Sequence, residues 1–140
     1  MNLTIYVTNI EGPGTEIKVL CESIASPKEL RVFNSIESLT DWLVITMRDQ
    51  AIVILVAQTK DELTELLPII HLFHKVQIIL ILPNREPETI RIGYRLEPRY
   101  LSFIDSGVEA LKAILRKMLK GPEVRSRRKV TPMAFLDEHL

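Results

Sequence analysis

Four sets of residues have the types and spacing to do chemistry. The first is Gly12-Pro13-Gly14-Thr15, between an apolar run and a helical pattern. Backbone N–H groups and a hydroxyl at a helix N-terminus can cradle a phosphate, with Gly12, Gly14 and Thr15 as the donors. Glu11 would oppose an anion there and Pro13 has no N–H to give, so a plain turn is the competing reading. The second set is His71 and His74, three apart on one helical stretch, a spacing that can share a metal ion. No cysteine or acid stands at a matching interval, which favours structural histidines over ligands. The third is Cys21, which falls on an apolar stripe and reads as core packing, not as a nucleophile.

The fourth set is basic. Lys112, Arg116, Lys117 and Lys120 fall opposite the apolar stripe of the last helical pattern, and Arg125, Arg127, Arg128 and Lys129 extend the run. Such a surface can meet an acidic protein or nucleic acid. The alternative is a solvated helix face with a basic tail. The asymmetry is regional: the chain has 18 basic and 18 acidic residues, yet residues 107–129 hold eight basic residues against Glu109 and Glu123.

The chain around these residues has 140 residues, 46% hydrophobic and 26% charged, which suits one globular domain. Its single cysteine excludes an internal disulfide and every multi-cysteine metal site. Ala51–Ala57 and Val76–Pro83 are too short to cross a bilayer as helices, and the N-terminal segment lacks a basic n-region. The expectation is a cytoplasmic protein without membrane contact.

The elements that must position these residues follow from periodicity. Leu3–Thr8, Leu30–Phe33, Ala51–Ala57, Val76–Leu82 and Tyr100–Ile104 read as strands, the middle one continuously apolar, as a strand covered on both faces is, and the fourth a second buried strand. Ile17, Leu20, Cys21 and Ile24 mark a first helix that Pro27 ends. Asn34 to Glu37 fits a capping box opening a second helix along Ile36, Leu39, Leu43 and Met47, with Trp42 at the stripe's edge. Thr59 to Glu62 fits another, opening a third helix through Leu63, Leu66, Leu67, Ile70 and Phe73. Pro68 should bend or break that helix, and Leu72 lies off its stripe. A weaker helix over Pro87–Leu96 is interrupted by Gly93. Ser106 to Glu109 caps the last one, along Val108, Leu111, Leu115, Met118 and Leu119.

Strand and helix thus alternate five times. Right-handed crossovers between parallel neighbours then predict an α/β fold: an open five-stranded parallel sheet, order 2-1-3-4-5, with helices on both faces (flavodoxin-like). Residues 1–120 form this domain, and 121–140 a basic, then apolar tail. Met133, Phe135, Leu136 and Leu140 suit the tail to docking in cis or in trans.

The stretch Gly93–Leu119 (GYRLEPRYLSFIDSGVEALKAILRKML) resembles the last segment of response-regulator receivers, with Tyr100-Leu101-Ser102 matching their aromatic-Leu-Thr/Ser strand. That resemblance implies an acidic pair after strand 1 for Mg²⁺, an aspartate nucleophile ending strand 3, Thr or Ser ending strand 4 and a lysine ending strand 5. Here Thr8 and Asn9, Val56-Ala57-Gln58, Leu82-Pro83, and Phe103 or Ile104 fill those places, and the nearest acids are Asp61 and Asp105. A multiply negative phosphoryl group cannot meet a carboxylate unneutralised, so the resemblance is to a pseudo-receiver without phosphoacceptor, metal, cofactor or catalysis. Receivers dock partners through helix 4, strand 5 and helix 5, where Tyr94, Arg95, Arg99 and Tyr100 lie. The expected function is a non-enzymatic signalling or scaffold module that binds a protein or itself. A nucleic-acid-associated regulator and a small-ligand binder at Gly12–Thr15 are the alternatives.

Overall fold

A computed structural model describes residues 3–8, 12–46, 51–73 and 76–120. Five strands, β1 (Leu3–Val7), β2 (Leu30–Phe33), β3 (Ile52–Val56), β4 (Gln77–Leu82) and β5 (Tyr100–Phe103), form one sheet in the order β2-β1-β3-β4-β5. Every pairing is parallel, with Leu3 opposite both Leu30 and Ile52, Ile52 opposite Gln77, and Ile79 opposite Tyr100. This is the predicted open α/β sheet with a flavodoxin-like strand order. Each crossover carries helical structure: α1 (Pro13–Ile24), α2 (Ile36–Thr46), α3 (Lys60–Thr64) with a 3₁₀ segment (Leu67–Phe73), and α4 (Pro87–Arg95). A 3₁₀ turn (Ile104–Ser106) then leads into α5 (Glu109–Lys120).

The period-2 alternation of the strands divides the core in two. Leu3, Ile5, Val7, Ile54 and Ile79 pack on one face against Ile17, Leu20 and Cys21 of α1 and Leu111 and Leu115 of α5. Tyr6, Val53, Leu55, Leu80 and Leu101 pack on the other against Leu39 and Leu43 of α2, Leu63 of α3, Phe73, and Leu96 just past α4. β3 and β1 are buried along their whole length, which explains the unbroken apolar run of β3.

Several local expectations need correction. The cap of α2 is Ser35, whose Oγ accepts the Ser38 N–H at 3.2 Å, and not Asn34 with Glu37. The third helix does break at Pro68: α3 stops at Thr64, and Ile69 is non-helical within the 3₁₀ segment. Gly93 does not interrupt α4. A Cβ there would stand 3.1 Å from both Leu80 Cδ2 and Leu82 Cδ2, so glycine lets the helix press onto β4. The chain leaves α4 through Glu97 in the left-handed region (φ 52), the usual device for ending a helix, and Pro98 prevents its continuation. Arg99 N–H then donates to the Ile78 carbonyl at 2.7 Å and starts β5 in register. Ile104 belongs to the 3₁₀ turn, and the first α5 bond runs from Lys112 N–H to the Val108 carbonyl at 2.8 Å.

Candidate functional site

In an open parallel sheet, ligands bind outside the carboxyl ends of the strands, where the order reverses. That point lies here between the ends of β1 and β3. Thr8 follows β1, and Ala57 and Gln58 follow β3. A carboxylate does reach this crevice, from Glu62 in the first turn of α3. Its Oε2 accepts from the Thr8 hydroxyl at 2.6 Å and its Oε1 from the Gln58 N–H at 2.9 Å. Thr59 caps α3 as expected, its Oγ1 accepting the Glu62 N–H at 3.2 Å. The reciprocal half of the capping box is displaced, because the Glu62 side chain serves Gln58 and Thr8. Below it, Tyr6 is 1% exposed, and burial, with Glu62 and Glu65 nearby, pushes its phenol up to about 12. Asp61, at the same helix start, is exposed, and it was Glu62 that residue types alone overlooked.

The cations around this end are also engaged. Lys60 donates to Glu88 at 3.0 Å between α3 and α4, which raises the lysine pKa and lowers that of the glutamate. Arg85 donates to Asp105 at 3.1 Å and to Ser106 at 3.2 Å, and its guanidinium lies 4.0 Å above the Phe103 ring. Pro83 follows β4 and Ile104 follows β5, so the strand ends themselves carry no charge.

At the candidate ligand loop, Gly12 caps α1 with φ 70, a conformation that favours glycine, while no neighbour crowds a Cβ there. Gly14 is buried and Thr15 exposed, and the Thr15 N–H is already bonded to the Gly12 carbonyl at 3.0 Å. Two of the three expected donors are thus either enclosed or in use. Cys21 is fully buried, and burial, with Glu22 a lesser cause, pushes its thiol up to about 12, as a core cysteine requires. His71 is exposed, and His74 lies outside the described residues. Among the described residues no group of three His, Cys, Asp or Glu side chains could hold a metal, and no helix is long and apolar enough to cross a membrane.

The second candidate surface is formed by α4, β5 and α5. Tyr94 is 44% exposed, Arg95 is exposed, and Arg99 stands 6.0 Å from the Tyr100 ring. On α5, Arg116 and Lys117 are exposed and Lys112 half-buried, opposite the buried Leu111 and Leu115. Lys120 closes α5, and Arg125, Arg127, Arg128 and Lys129 lie outside the described residues, as does the whole segment 121–140. Trp42 is half-buried against Phe33, their centroids 5.9 Å apart, and Leu72 packs partly against the core. Comparisons with protein families, curated proteins and solved structures return no match.

Proposed function

We propose that the chain is a non-enzymatic signalling or scaffold module, a receiver-like domain that acts through protein contacts without accepting a phosphoryl group. The observation that carries this reading is the state of the crevice. Among the described residues, Glu62 is the carboxylate that reaches the crevice, and both its oxygens are engaged, by Thr8 and Gln58; the cations Lys60 and Arg85 are engaged by Glu88 and Asp105. A phosphoryl group would need a free carboxylate to accept it, with Mg²⁺ and a lysine to neutralise its charge. Tyr94, Arg95, Arg116 and Lys117 are exposed on the α4–β5–α5 face, where a protein partner could meet them.

The test is titration of the full chain with beryllium fluoride and Mg²⁺, observed at its backbone amides. Unchanged Thr8 and Gln58 signals are expected, and a saturable shift at those amides would overturn the proposal. The exposed Arg116 and Lys117 favour nucleic acid as a second reading. Duplex DNA binding that falls steeply with salt, and is lost on replacing both residues with Glu, would put that reading first.

A further inference from the structure

The two outer strands of the sheet differ in what covers them. β5 is buried over Leu101, Ser102 and Phe103, whereas on β2 Arg31 and Val32 are exposed, Val32 by 38%. Among the described residues β2 pairs with β1 alone. In a parallel ladder, alternate residues turn their N–H and C=O toward one neighbour and then away from it. Leu3 N–H donates to the Glu29 carbonyl at 2.9 Å, so residues 29, 31 and 33 address β1. The backbone groups of Leu30 and Val32 therefore face outward, with no strand among the described residues to meet them. Such an edge is ordinarily blunted by charge, proline or a bulge. β2 has Arg31 and its own shortness, and no proline or glycine.

Apolar side chains flank this edge. Phe33 shares the α2 face of the sheet with Arg31, two residues away, and packs against Trp42 with the rings tilted by 42°. Ile45, one turn beyond Trp42 on the same flank of α2, is 77% exposed.

We propose that β2 pairs with β2 of a second copy of this chain, antiparallel about a two-fold axis at Val32. This inference rests on the sheet alone and stands independently of the receiver reading. The occupant follows from the register. With the axis at Val32, that residue forms a hydrogen-bonded pair with itself, and Leu30 pairs with Asn34 of the second copy, so the outward backbone groups of both are satisfied. The intervening positions set Arg31 opposite Phe33 of the second copy, twice, on the α2 face. A guanidinium is thereby offered to each Phe33–Trp42 aromatic pair. Moving the axis to Leu30 would recruit Lys28 and Glu29, but those residues lie in a turn, where Glu29 N–H donates to the Ser26 carbonyl at 2.9 Å. Moving it to Asn34 would recruit Ile36, the first residue of α2. An axis at Arg31 would set two guanidinium groups directly opposite each other, and one at Phe33 would recruit Ser35, the cap of α2. The Val32-centred register avoids both and carries Trp42 and Ile45 to the seam.

Sedimentation equilibrium of the full chain, with disulfide trapping, tests this. The wild type should dimerise reversibly with concentration. Val32→Pro removes an outward N–H and none that bonds β1, and Ile45→Lys alters a side chain whose exposure makes folding insensitive to it; each should weaken dimerisation at least tenfold. In a hydrogen-bonded antiparallel pair the Cα atoms stand about 5.5 Å apart, inside the disulfide range of about 4.4–6.8 Å. Val32→Cys should therefore cross-link under oxidation, and Leu30→Cys, which faces Asn34, should do so at least tenfold more slowly. Native Cys21 is fully buried and contributes no background. A wild type that sediments as a monomer throughout overturns the proposal, and a protected Val32 amide in that monomer would assign the edge to the chain's own residues 121–140. A dimer that resists Ile45→Lys, with no cross-link at residue 32, also overturns it and assigns association to another surface.

Discussion

β2 and β5 are both four-residue strands at the rim of one sheet, and their sequences, LRVF and YLSF, are alike in apolar content. One is core and the other is surface. The difference lies in the helices beside them. Gly93 lets α4 press onto β4, Leu96 and Pro98 pack in behind it, and both faces of β5 are enclosed. At β2, α2 reaches the strand through the Phe33–Trp42 contact, and on the other face Val32 stays 38% exposed. An edge strand is therefore buried by what its flanking helices cover, not by its own composition, and a bare edge is where a partner can add.

The comparison breaks most directly at matched positions. Leu101→Ala should cost about 2–5 kcal/mol, because it empties a fully buried site. Val32→Ala, measured in dilute protein where any dimer is dissociated, should stay below about 1 kcal/mol. Urea midpoints that fall equally would show that the two edges are equivalent after all.

Alkaline titration tests how abruptly the bare edge gives way to dry interior. Tyr6 stands directly opposite Phe33 of β2, yet burial pushes its phenol from 10.0 up to about 12. The folded state keeps that proton to higher pH than the unfolded chain. Stability from this group is thus complete below about pH 10 and is lost as pH rises toward 12, at up to about 1.4 kcal/mol per unit. Cys21 contributes in the same direction, so the measurement is the difference between wild type and Tyr6→Phe, whose slope should be shallower. Parallel slopes would mean that water reaches the phenol from the β2 side.

Gly93→Ala sharpens the account of the covered edge. Alanine gains about 1 kcal/mol in helix propensity over glycine, whereas forcing a methyl into a filled core costs about 1–3 kcal/mol. Leu80 and Leu82 are fully buried and have little room to retreat, so the clash should win by about 1 kcal/mol in chemical denaturation. A stabilised variant would mean that α4 can lift from the sheet.

These cases also mark what was legible in the sequence. The unbroken apolar run of β3, the break at Pro68 and the strand order follow from local pattern and connection chirality, and all three hold. Gly93 was misread because propensity sees a weak helical residue, while its purpose is proximity to Leu80 and Leu82. Glu62 was legible as half of a cap, but its bond to Thr8 spans 54 positions, and only the assembled sheet brings the two together. The interval itself carries a signal: a Glu in the first turn of a helix leaving a central strand can reach back over that strand's end. The exposure of β2 left no local trace, since coverage by helices is a tertiary property.

The smallest effect concerns the corner where the covered edge is closed. Arg85 reaches from the loop after β4 across the end of β5, touching Phe103 with its face and Asp105 with its edge. The carboxylate is 75% exposed, so the ion pair should contribute about 0.2–1 kcal/mol at low salt and less at high salt. The ring is only 2% exposed, so the stacked guanidinium is shielded on one side and its contact, about 0.5–1 kcal/mol, is less open to screening. Lysine could keep the charge but not the planar contact. Arg85→Lys should therefore lose nearly as much stability as Arg85→Met, and half a molar salt should leave most of both losses in place. If Arg85→Lys were neutral, or if salt erased the difference, the ion pair would be what closes this corner. The covered edge would then depend at its tip on solvent-exposed charge.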